Sequence, residues 1–87
     1  MLGEHTNMVG RDFIVQAHWD AEAKVYWAES DDVPGLATEA ATFEELVANV
    51  RELVPELLRL NNHPRAHDDE LPFRVTMDRQ ETLRLSA

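Results

Sequence analysis

Thr42–Leu60 reads TFEELVANVRELVPELLRL, and this stretch decides the fold. Phe43, Leu46, Val47, Val50, Val54, Leu57 and Leu58 recur at the three- and four-residue spacing of one helix face. Glu44, Glu45, Asn49, Arg51, Glu52 and Glu56 fall mostly off that stripe. Thr42 and Glu45 make the capping box T-x-x-E, which satisfies two backbone N–H groups that a helix start leaves without partners. Glu44 and Glu45 also suit the positive end of the helix dipole. The spacing predicts a helix over Phe43–Leu60, ~27 Å long. Pro55 lacks the N–H that would bond the Arg51 carbonyl, so a kink or a break is expected there. The stripe continues at Leu57 and Leu58, which favours the kink.

An amphipathic helix needs an apolar sheet face to cover, and the upstream sequence supplies one. Asp31-Asp32-Val33-Pro34-Gly35 is a turn, with Pro-Gly at the two central positions of type II. Leu36–Ala40 follows as a short strand. Further back, Phe13–Trp19 alternates with period two, and Val25–Ser30 is rich in aromatic and small residues; both read as strands. Asp20–Lys24 joins them, although DAEAK contains no strong turn former. Pairing Trp19 with Val25 gives one apolar face of Phe13, Val15, Ala17, Trp19, Val25 and Trp27. The opposite face is then mixed: Ile14, Gln16, His18, Tyr26, Ala28 and Ser30.

Downstream, Asn61–Glu70 is a polar connection. Phe73, Val75 and Met77 alternate with Arg74, Thr76 and Asp78 as a fourth strand. Leu83 and Leu85 extend it or form a fifth. The predicted fold is α+β with order β-β-β-α-β: a three-stranded antiparallel meander and one helix packed on one face. A right-handed crossover lays the fourth strand parallel to and beside the first. One helix covers one sheet face. Ile14, His18 and Tyr26 on the other form an expected self-association face, so a homo-oligomer, dimer or higher, is anticipated.

Eighty-seven residues make one small domain, expected over residues 12–87 behind a polar, disordered leader at 1–11, with Met8 an alternative start. Seventeen acids against eight bases give a charge of -9, which argues against direct nucleic-acid binding and against an anionic membrane. The same charge suits a basic protein partner. Cysteine is absent, which removes disulfides, thiolate zinc sites and thiol nucleophiles. No apolar run reaches the ~20 residues of a membrane span, and no signal peptide is evident, so a cytoplasmic protein is expected.

No catalytic set emerges. Asp12, Asp20, Glu29, Asp31 and Glu45 are the candidate carboxylates for a two-metal nuclease, but they scatter over strand ends, a turn and a cap. His63 and His67 lie in a Pro-containing connection, where four-residue spacing has no helical geometry to exploit. Ser30 and Ser86 lie in no nucleophile motif, and Gly3, Gly10 and Gly35 are too scattered for a phosphate loop. Neither a metal nor a cofactor is expected. The acids do concentrate: Glu29, Asp31, Asp32, Glu39, Glu44 and Glu45 occur with no base between Glu29 and Glu45. Of these, Glu29, Asp31, Asp32, Glu39 and Glu44 form the expected partner-binding set, Glu45 being accounted for as a cap.

Pro34-Gly35-Leu36, then Thr38-Glu39, then a Thr42-capped helix carrying Glu44-Glu45, resembles the HicB-like antitoxin family. The hairpin FIVQAHWDAEAKVYWAES at 13–30 is similar to a short stand-alone bacterial subgroup of that superfamily. The resemblance covers roughly Phe13–Leu60. It implies a partial ribonuclease-H-like fold that lacks the catalytic carboxylates, and a non-enzymatic role: neutralising a small basic ribonuclease toxin of the HicA type by covering it. Many such proteins also carry a C-terminal helix-turn-helix or ribbon-helix-helix domain. Here Ala40 stands where glycine is common, and the 27 residues after Leu60 read as linker and strand, so no DNA-reading role is carried over. The rival expectations are a stand-alone homo-oligomer without a toxin and a metal-dependent nuclease on the same scaffold.

Overall fold

Alternation in Phe13–Asp20 and in Phe73–Asp78, with the long amphipathic run between them, resolves into four strands and one helix. A computed structural model describes residues 12–86; the expected leader at 1–11 lies outside the described residues. The elements are β1 (Phe13–Asp20), β2 (Val25–Glu29), β3 (Thr38–Ala40), α1 (Phe43–Leu60) and β4 (Phe73–Asp78). They form one mixed sheet in the order β3-β2-β1-β4. β1 pairs antiparallel with β2 and parallel with β4, as the β-β-β-α-β reading requires. The chain is thus an α+β fold with one helix over one face of a four-stranded sheet.

The core is the helix stripe against that face. Leu46, Val50, Val54 and Leu58 are buried on α1. Phe13, Val15 and Ala17 of β1 and Ala28 of β2 are buried beneath them, with Val33 and Leu36 from the connecting turn. Thr42 caps α1, its Oγ1 accepting from the Glu45 N–H at 3.1 Å. The helix runs unbroken through Pro55. It ends in a Schellman arrangement: the Asn62 N–H bonds the Arg59 carbonyl and the His63 N–H bonds the Leu58 carbonyl. Asn62 takes the left-handed conformation this motif needs, with φ 52°.

The Pro34-Gly35 turn forms as expected, with the Leu36 N–H on the Val33 carbonyl at 3.1 Å and Gly35 at φ 88°. Any side chain at that φ is strained. Two asparagines tie the helix to neighbouring segments. Asn49 Nδ2 donates to Thr38 Oγ1 at 3.2 Å, and Asn61 Nδ2 donates to the Pro34 carbonyl at 3.2 Å.

Three expectations fail. The first concerns register. Asp20, not Trp19, pairs with Val25, so Trp19 faces Tyr26 and His18 faces Trp27. The cause is the Asp20 carboxylate, whose Oδ1 accepts from the Glu22 and Ala23 N–H groups at 3.0 and 3.2 Å. That closes the connection one residue tighter than DAEAK suggests, with Lys24 taking φ 58°. A slip of one residue turns every side chain of a strand to the other face. Tyr26 and Ala28 therefore face α1, and Val25 and Trp27 face away from it. The second concerns Leu83 and Leu85, which belong to no strand and are 80% and 83% exposed. The third strand is also shorter than expected, because Leu36 is drawn into the core from the turn.

Candidate functional site

The helix covers one face of the sheet, and no described element covers the other. Alternation places Ile14, Gln16, His18 and Asp20 of β1 on that open face. Val25, Trp27 and Glu29 of β2, Glu39 of β3, and Arg74, Thr76 and Asp78 of β4 share it by register. One row crosses all four strands: Glu39, Trp27, His18 and Asp78. An aromatic pair thus sits between carboxylates at either end. Trp27 is 38% exposed, high for so large an apolar group.

His18 fixes the indole. The two rings stack with centroids 4.3 Å apart and planes 25° from parallel. His18 Nε2 lies 2.9 Å from Glu29 Oε2, so the carboxylate of the next row holds the imidazole in place. Asp20, Trp27, Ala37, Thr38 and Glu39 line a shallow depression at the β3 side. Counted by register, the open face has four carboxylates, Asp20, Glu29, Glu39 and Asp78, against one guanidinium, Arg74. An exposed indole beside carboxylates is chemistry that receives cations: the ring quadrupole attracts a guanidinium from above while a carboxylate takes its N–H groups.

The acidic set expected from sequence divides between structural and surface positions. Glu29 and Glu39 are on the open face, Asp31 is exposed at the bend after β2, and Glu44 is exposed in the first turn of α1, in the other layer. Asp32 has a structural task. β1 extends beyond the end of β2, and at Ile14 the backbone facing β2 has no strand to bond. Asp32 Oδ2 accepts from the Ile14 N–H at 2.8 Å, and Ser30 Oγ donates to the Ile14 carbonyl at 2.6 Å. The Asp32 N–H in turn donates to Ser30 Oγ at 3.0 Å. Two side chains thus replace two missing backbone groups.

The self-association set of Ile14, His18 and Tyr26 is corrected in one member. Ile14 and His18 are on the open face, but Tyr26 is on the helix side, edge-on to Phe43 at 6.0 Å. Arg79 locks it there, with Nη1 donating to Tyr26 Oη at 2.7 Å and the guanidinium 4.3 Å over Trp19. Sequence reasoning missed Trp27 as a surface group. Asp20 ahead of the connection, a side chain able to bond backbone two residues on, was the available signal. His63 turns to the edge of Phe13 at 5.4 Å and its Nδ1 accepts from the Arg65 N–H, so it serves the helix exit. Among the described residues, no group of three or more His, Asp or Glu side chains gathers as a metal site. No described helix is long and apolar enough to cross a membrane.

These features define a small α+β domain with one covered and one open sheet face. The chain belongs to the family described as "Domain of unknown function (DUF1902)", which matches residues 12–87. It is also similar to the crystal structure of a hypothetical protein from the extremely thermophilic bacterium Thermus thermophilus. That chain is 51% identical, the match covers 86% of this chain and all of the other, and the TM-score is 0.63. No curated protein matches the chain.

Proposed function

We propose that this domain is a non-enzymatic protein-binding module, antitoxin-like, whose open sheet face receives a small basic protein. The observation that carries the reading is the row Glu39–Trp27–His18–Asp78, with Glu29 on the imidazole. A basic partner would lay an arginine on the Trp27 ring and pair it with Glu39. The excess of carboxylates would steer the encounter and make it fall with salt. The charge of -9 acts in the same direction over longer range. The likeness of the turn, third strand and capped helix to HicB-like antitoxins supports a HicA-type ribonuclease toxin as the kind of partner. A cytoplasmic setting goes with that role.

The test is a titration with a purified HicA-type ribonuclease toxin, following both binding and toxin ribonuclease activity. The wild-type chain should bind and suppress cleavage. Glu29→Lys with Glu39→Lys should weaken binding by ~1–3 kcal/mol and flatten its salt dependence. Asp32 is left unchanged because reversing it would unfasten Ile14. Equal affinity of the double variant and the wild type would overturn the reading.

A further inference from the structure

β4 ends the sheet order β3-β2-β1-β4, and no described residue pairs with its outer edge. The Phe13 N–H bonds the Pro72 carbonyl, which sets the ladder with β1. Parallel pairing from that bond turns the backbone groups of Arg74 and Thr76 toward β1, and those of Phe73, Val75 and Met77 outward. The strand FRVTMD carries neither proline nor lysine, residues that commonly block the addition of another strand. Its apolar side is also short of cover: α1 packs most closely on β2 and β3, and Met77 is left 38% exposed on the helix side.

The order of residues along this edge selects its occupant. Arg74-Val75-Thr76-Met77-Asp78 complements its own reverse, cation against anion and Val75 against Met77. We infer that the domain dimerises by antiparallel pairing of β4 with β4 of a second copy, about a two-fold axis at Thr76. Val75 and Met77 of each copy then exchange backbone hydrogen bonds with Met77 and Val75 of the other, through groups that already point outward. On the helix side these two side chains cover one another. On the open side Arg74 of each copy lies opposite Asp78 of the other. Within one chain Arg74 meets Asp12 at a loose 3.5 Å, so its guanidinium can serve both. Neighbouring registers lose this match. Centring on Arg74 opposes two guanidiniums, and centring on Val75 or Met77 leaves Arg74 and Asp78 opposite uncharged residues. Pairing uses both outer edges and closes at two copies. The product is one eight-stranded sheet, with both helices on one side and both Trp27 rings on the other. Trp27 and Glu39 lie away from the seam, so the dimer stands whether or not a basic protein binds there.

Light scattering after size exclusion, across a concentration series, should give a dimer at high micromolar concentration. Arg74→Asp opposes carboxylates at both ends of the seam and should weaken dimerisation roughly tenfold, and adding Asp78→Arg should restore it. Circular dichroism confirms that each variant keeps its fold. The chain has no cysteine, so Thr76→Cys tests the register directly. Residues opposed at a non-hydrogen-bonded pair have Cα atoms ~4.5 Å apart, within disulfide reach, so mild oxidation should link the two copies. Gln80→Cys, whose two copies would lie ~27 Å apart, should not link. A wild-type monomer at high micromolar concentration would overturn the inference. So would a dimer that the charge exchange fails to restore, one that does not link through Thr76→Cys, or equal linking through both cysteine variants.

Discussion

The two faces of the sheet are built from the same strands and obey different rules. On the helix side, Phe13, Val15, Ala17 and Ala28 are almost without solvent contact, and their partners Leu46, Val50, Val54 and Leu58 repeat at helical spacing. On the open side, Trp27 stacks on His18 among carboxylates and no described element covers it. One face is held by volume and the other by placed polar contacts. Stability therefore belongs to the first and the proposed recognition to the second, and single substitutions should separate them.

The largest expected effect is on the covered face. Leu46→Ala removes a side chain with 0% exposure, and should cost about 3 kcal/mol by chemical denaturation. In a domain of this size, that lowers Tm by well over ~10 °C. A loss below ~1 kcal/mol would mean the core can collapse around the gap, and the contrast between faces would weaken. An intermediate effect is expected where the two faces meet the strand end. Asp32→Ala leaves the Ile14 N–H without its acceptor, and should cost ~1–2 kcal/mol. Hydrogen exchange at Ile14 should accelerate with it. Unchanged exchange there would show that water replaces the carboxylate at no cost. The smallest effect on stability is expected from Trp27→Ala, under ~1 kcal/mol, because the indole is already partly solvated. Its effect on partner binding should be the largest of the three. A large loss of stability from this change would show that the open face supports the fold, and the division of labour would fail.

How far the sequence could be read follows from where each instruction lies. The helix was legible because seven apolar positions, a Thr cap and two early acids agree over one continuous stretch. The Pro34-Gly35 turn was legible because only glycine readily takes the conformation it needs. The parallel placement of β4 followed from handedness. Register was not legible, because it depends on how one carboxylate, Asp20, bonds the backbone beyond it. Either pairing offered an acceptable apolar face, so composition could not choose between them. That single unresolved step exchanged Tyr26 with Trp27 and hid the centre of the candidate site. His18, Glu29 and Glu39 do come together on the open face, but strand alternation and the layer change at α1 separate the acids that sequence places in one run. Leu83 and Leu85 show the converse: they alternate directly after β4, whose outer edge is free among the described residues, and still belong to no strand, so alternation alone does not make one.

The pairing of β1 with β4 also has a kinetic consequence. The Thr76 hydroxyl meets the Val15 carbonyl across a separation of 61 residues, whereas β1, β2, β3 and α1 follow one another with short connections. Contacts so distant along the chain pay their closure entropy late, so the meander and helix can form before β4 docks. During synthesis β4 is also the last of these elements to emerge. Until then the outer edge of β1, the strand carrying Phe13, Val15 and Ala17, stays unpaired beside a nearly finished sheet. The central strand of the mature protein is thus the exposed edge of its nascent form, and the time β4 takes to arrive sets how long the chain is open to aggregation.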